Sequence, residues 1–445
     1  MSRWKRTTAL LAAAFLGIFL VVQGIQKPEP KASTSGGGEE GALVIVGGAL
    51  SPDNEEVYNK FLALAQAKRG VEKEDLKIGI LPTASSSPIE SATSYKKDFV
   101  RYGATEGNID ILPIAVNNDR STEEDESKWI DNGSDEELAE QVKQYDAIWF
   151  VGGNQLHYTT TLLKDDEETP VLEAIKDIRE EGAVLGGSSA GAAIMSDPMI
   201  GAGSSLGALS DGVTDRDNYG DAEDNRVFLT EGLGFFEEGI VDQHFVKRGR
   251  FGRLMVAAWE SQHEMAYGID ENSAMVVYPE RETIEVVGES GLVIVDLADA
   301  KKTKDYPAAM KDVKISYIEK GDRYNFESKT YEITEDKPLI TDPYYQPNSA
   351  NTGIFGEDAL KQVLTYDLID NTATTAVGLA IDLTDEDRGE GFKLTFKETK
   401  DTKGYWGKID GVESYAAVNV NLDLAPMKVK LKVDNMKEKK MEEFE

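Results

Sequence analysis

A serine hydroxyl becomes a nucleophile when a rigid turn exposes it and a base stands beside it. Residues 186–193 (GGSSAGAA) offer such a turn. Gly187-x-Ser189-x-Gly191 fits the G-x-S-x-G elbow between an apolar run at 183–185 and a helix-capable segment at 190–195. Small neighbours suit a site where backbone crowds a sharp strand-to-helix turn. The helix start would aim amides at a developing oxyanion. The competing reading is a glycine turn that only permits tight packing or holds a phosphate. The chain has three histidines, His157, His244 and His263, so a histidine base must be one of them.

His244 stands in VDQHFVKRGRFGRL (241–254), with Asp242 and Gln243 before it and Arg248, Arg250 and Arg253 after it. Arginine forks match carboxylates, so basic groups gathered beside a candidate base predict an anionic substrate group. The alternative is a basic turn that balances acidic neighbours. In GIDENSA (268–274), Glu271 precedes an apolar strand, a position from which a carboxylate can orient an imidazole. Asp270 is its rival, and spacing does not separate the two. A second glycine turn, VGGNQ (151–155), offers another oxyanion amide from Gly153 or Asn154, and the Gln155 side chain to substrate. Gly47-Gly48 lacks the spacing and lysine of a phosphate loop, which argues against nucleotide binding there. His157 is expected at the rim of the site and His263 at the surface.

The elements that would hold these residues read as an α/β protein. Short apolar runs (ALVIVGG, LKIGILPTAS, IDILPIAV, AIWFVGG, AVLGGSS) alternate with amphipathic segments such as 54–69 and 135–145. Runs of this length, separated by helices, predict a buried parallel sheet, doubly wound with helices on both faces. In such sheets function gathers at the carboxyl ends of strands. Further strands are expected at 274–278, 283–287 and 292–295, with a β-rich stretch over 313–333. Residues 338–350, rich in Pro, Asn and Tyr, read as a linker, and the alternating runs beyond them as a smaller β-rich C-terminal domain over 351–445.

The chain of 445 residues carries 48 basic and 81 acidic side chains, a net charge of −33, and no cysteine. Its length suits about two domains. The charge argues against a nucleic-acid partner, and the missing cysteines exclude disulfides, thiolate metal sites and a cysteine nucleophile. At the N-terminus Arg3, Lys5 and Arg6 precede an apolar run at 7–22, the layout of a secretory signal over 1–24. Residues 25–41 then read as a flexible linker. Export is expected, with a membrane anchor as the outcome if the segment stays uncleaved.

GGSSAGAAIMS, VGGNQ, DQHF followed by R-x-R-x-x-R-L, and GIDENSAMVV together resemble the serine peptidases of family S51, the family of the cyanophycinases. The resemblance covers residues 42–337. It implies a flavodoxin-like, three-layer α/β/α sandwich and a serine hydrolase working without metal or cofactor. It further implies Ser189 as nucleophile, His244 as base, Glu271 as the residue orienting it, and oxyanion donors at Ala190 and Gly153. Gln155, Asp242, Gln243, Arg248, Arg250 and Arg253 match the family's substrate-binding positions, with Asp242 expected to pair with a substrate guanidinium. The implied partner is cyanophycin, a polyaspartate with arginine on each β-carboxyl, or another aspartyl peptide, with a homodimer left open. An aspartyl dipeptidase of the same family and a non-catalytic polymer-binding module are the competing readings. The acidic stretch 211–224 is read either as a loop near the cleft drawing in arginine-rich polymer or as a solvated loop.

Overall fold

Five of the short apolar runs become strands: β1 (Leu43–Val46), β2 (Ile78–Leu81), β3 (Ile109–Ile111), β4 (Ala147–Phe150) and β5 (Val184–Ser188). The structure is a computed structural model and describes residues 40–165, 167–215, 225–303 and 309–431. The expected signal and most of the linker therefore lie outside the described residues, as do 216–224 of the acidic stretch. Among the described residues, no helix is long and apolar enough to cross a membrane.

All five strands run parallel, in the order β3-β2-β4-β5-β1. Successive side chains point to opposite faces, and each face has its own helices. Val44, Val46, Ile80 and Trp149 pack with Val57 and Phe61 of α1 (Glu55–Arg69) and Phe99 of α2 (Pro88–Arg101). Ile45, Leu81, Ile148 and Phe150 pack with α3 (Glu136–Val142), α4 (Leu156–Leu162), α5 (Pro170–Glu180) and α6 (Ala190–Ala193). Helices on both faces make the three-layer arrangement. Its strand order, counted from the N-terminus, is 3-2-4-5-1 rather than the flavodoxin 2-1-3-4-5. The first strand lies inside the sheet because a second neighbour, Ser273–Tyr278, pairs antiparallel with β1. Thr283–Gly288, Arg323–Asn325 and Thr330–Glu332 extend that side.

The C-terminal strands correct the expected division. Residues 351–431 are rich in strand, but they do not close on themselves. Val412–Lys430 pairs with Met310–Glu319 on one side and Arg388–Lys397 on the other, within one sheet that also contains Ile240–Asp242, Met265–Ile269 and Gly291–Asp296. The described residues form a single compact unit. One hydrophobic core joins Ala208 and Leu209 of α7 (Ser205–Asp211) and Phe251, Leu254 and Met255 of α8 (Phe251–Glu260) to Ile354, Leu394, Phe396 and Leu422. The expected linker is also anchored: the Ile340 amide donates to the Gly404 carbonyl at 2.8 Å, and just before the linker buried Lys337 is ion-paired with buried Asp322, whose other oxygen accepts the Thr334 amide. Sequence pattern finds such strands but not their partners, because the pairings are long-range.

Candidate active site

The elbow forms where β5 runs into α6. Ser189 adopts φ 57° and ψ −107°, a conformation that L-residues rarely hold, and its amide donates to the Val46 carbonyl at 3.1 Å. The turn closes because Gly187 and Gly191 lack side chains. A Cβ at Gly187 would stand 2.5 Å from the Gly191 carbonyl oxygen, and one at Gly191 would stand 2.3 Å from that of Phe150. The packing that demands small residues and the strain that exposes the hydroxyl are thus one feature.

Ser189 Oγ lies 2.9 Å from His244 Nε2, and His244 Nδ1 lies 2.6 Å from Glu271 Oε1. With Nδ1–H donating to the Glu271 carboxylate, Nε2 is left as an acceptor for the serine hydroxyl. Burial, the largest influence on His244, disfavours the imidazolium. The Glu271 hydrogen bond opposes that shift, the Arg248 and Arg250 charges reinforce it, and the pKa falls below the usual histidine value. Asp270, the rival carboxylate, points elsewhere: it accepts from the Lys247 amide at 3.0 Å and from Ser290 Oγ at 2.8 Å.

Two supports gave no signal in the sequence. The Gly47-Gly48 turn, unsuited to phosphate, seats the histidine. The His244 amide donates to the Gly47 carbonyl at 2.6 Å, and a Cβ on Gly48 (φ 110°) would lie 2.4 Å from His244 Nε2. Asn54 caps α1 through its side-chain oxygen, while its Nδ2 donates to the carbonyl of Asn272, next to Glu271, at 2.8 Å. Only the folded packing reveals that these residues face the site.

The glycine turn at 151–155 lies against Ser189, with a Cβ on Gly152 falling 3.2 Å from that of Ser189. The Asn154 amide is committed to the Ala84 carbonyl at 2.9 Å, which leaves Gly153 as the candidate donor from this turn beside Ala190 at the start of α6. Gln155 is buried, and its side-chain Nε2 donates to the Ile200 and Gly201 carbonyls at 3.0 and 2.8 Å.

The charged set divides into frame and lining. Asp242 does not await a guanidinium from substrate: its side chain is 1% exposed and takes a bidentate pair from Arg253, at 2.8 and 2.6 Å. That corrects the expectation for Asp242, since the partner it lacks in the sequence comes from α8. Arg253 also donates to the Gly203 carbonyl at 2.8 Å. Arg250 donates to the Gln243 carbonyl at 2.8 Å, and burial lowers its pKa to about 10, which leaves it charged at neutral pH. Gln243 is buried, and its side-chain oxygen has no hydrogen-bond partner. Arg248 is half-exposed, 3.7 Å from Glu271. All three arginines line one cavity of about 450 Å³. His157 is half-buried with an unpaired Nδ1, and His263 lies 3.0 Å from Ser261 Oγ; neither meets Ser189. Among the described residues, no group of histidines and carboxylates could hold a metal ion.

The family model for peptidase family S51 matches residues 43–285, which include Ser189, His244 and Glu271. The chain belongs to peptidase family S51. It is a serine-type peptidase. A cyanophycinase of Geminocystis herdmanii is 30% identical over 292 residues, covering 64% of this chain and 93% of the relative. One from Synechococcus elongatus is 28% identical over 313 residues, covering 69% and 85%. A solved peptidase from an acI-B1 actinobacterium aligns at 23% identity and a TM-score of 0.42, over 58% of this chain and 91% of its own. The S51 match ends at residue 285, so the strands that complete the second sheet come from beyond it.

Proposed function

We propose that this S51 peptidase hydrolyses cyanophycin to β-Asp-Arg dipeptides outside the cell, through an acyl-enzyme on Ser189. The observation that carries the reading is the Ser189–His244–Glu271 line beside a cavity with three arginines. The relatives named cyanophycinase favour this substrate. In the proposed cycle Ser189 Oγ attacks the scissile carbonyl while His244 Nε2 takes its proton. The amides of Ala190 and Gly153 hold the oxyanion. His244 then returns the proton to the leaving amine, and water releases the acyl group by the same route in reverse. Arg248 and Arg250 meet the substrate's carboxylates, while Arg253, spent on Asp242, fixes the shape of the cleft.

Product analysis tests this. Cyanophycin incubated with the wild-type protein should yield β-Asp-Arg by mass, and Ser189→Ala should yield none above the no-enzyme control. Polymer breakdown by the variant would overturn the serine mechanism. Cleavage of aspartyl dipeptides with the polymer left intact would move the reading to an aspartyl dipeptidase. Export is tested separately: the expected mature protein appears in the culture medium with its N-terminus near residue 25, and retention of residues 1–24 would instead indicate an anchor.

A further inference from the structure

Part of the chain beyond the S51 match lines the arginine cavity and a second chamber beside it. The first cavity has Ser205, Arg248 and Arg250 on one side and Phe355 and Ile381 on the other. The second, about 340 Å³, is lined by Asn348, Asn351, Gln362 and Asp367. Thr352 and Gly353 border both, so the two are joined along one stretch of chain. This stretch is seated on the arginine loop. A Cβ on Gly249 would fall 2.0 Å from the Phe355 carbonyl oxygen, the Asp358 amide donates to the Val246 carbonyl at 3.2 Å, and Lys247 pairs with Glu357.

The chambers differ in charge. The first carries guanidinium groups; the second has a carboxylate and side-chain amides, with no basic residue in its lining. We propose that residues 348–367 form a distal substrate subsite, in which Asp367 takes the guanidinium of a third polymer unit, beyond the two that flank the scissile bond and next to the one whose carboxylate lies on Arg248 and Arg250. The inference rests on the cyanophycin reading. A chain that repeats one guanidinium and one carboxylate per unit presents this alternation. Asp367 already accepts from Asn348 Nδ2 at 2.8 Å, which orients its carboxylate and leaves further lone pairs for a fork.

Steady-state kinetics on the polymer and on a two-unit oligomer, too short to reach the second chamber, tests it. Asp367→Asn keeps an acceptor for Asn348 but removes the charge, and should raise KM for the polymer about tenfold, the loss of one charge-assisted hydrogen bond. Gln362→Glu, on an exposed position of α9 (Ala359–Leu364), should lower it. Neither should alter kcat or the two-unit kinetics. Polymer KM unchanged in both variants, or an equal change with the two-unit oligomer, would overturn the subsite. A wild type that cleaves neither substrate would instead fail the cyanophycin reading and the subsite with it.

Discussion

At 270 and 271, adjacent carboxylates face different partners: Glu271 meets His244 Nδ1, and Asp270 meets the Lys247 amide and Ser290. Their substitutions should therefore separate. Glu271→Gln keeps the volume but not the charge, and should lower kcat by roughly 10³–10⁴ with melting little changed. Asp270→Asn should cost about 1–3 kcal/mol of stability, because buried donors lose a charged acceptor, and leave kcat of the folded enzyme within about tenfold of wild type. A larger kcat loss at Asp270 would reverse the assignment. The pH profile follows from the same contacts. His244 must be neutral to accept the serine proton, and its lowered pKa keeps it neutral further into acid. Activity should hold below pH ~6.5, the free-imidazole value, and fall only as pH drops through the depressed one. The Glu271 hydrogen bond raises that pKa, so Glu271→Gln should move the acid limb lower still. An acid limb above ~6.5 in the wild type would contradict this. The elbow and the base were legible in residue types. Which of two neighbouring carboxylates turns toward the ring was not, because one peptide unit's rotation decides it.

At the scale of elements, Ser189 and His244 are held by turns rather than by helices or strands. Gly48→Ala would place a methyl group against the imidazole on a backbone at φ 110°, so both space and conformation oppose it. The expected loss in kcat is about 10²-fold or more, the effect of misplacing a catalytic group by about 1 Å. Wild-type kcat in this variant would show that the ring does not depend on the turn. The buried Lys337–Asp322 pair offers a second test at this scale. Lys337→Ala strands a carboxylate away from water and should cost about 3–5 kcal/mol in chemical denaturation. The apolar runs foretold β1 to β5 because short buried strands leave a local signature. The glycine turn before His244 left none, since its partner lies far along the chain.

For the whole molecule, the S51 core and its C-terminal strands share one sheet and one hydrophobic core. A chain ended at residue 337 would expose the edge of Met310–Glu319 and the apolar face that carries α8 and its arginine. It should aggregate or lose cooperative melting. A soluble, active fragment would contradict the shared core. Alternation in 376–425 revealed strands, but sequence alone placed them in a separate domain because it carries no record of which edge they join. The net charge of −33 also gains meaning at this scale, since Arg248, Arg250 and Arg253 meet at one cavity of a net-acidic protein. The central claim, that Ser189 is acylated, is tested most directly by acid-quenching the enzyme during turnover of cyanophycin and mapping the adduct by mass spectrometry. A substrate acyl group is expected on the peptide containing Ser189 and absent from Ser189→Ala. Turnover by Ser189→Ala, or an adduct on another residue, would contradict it.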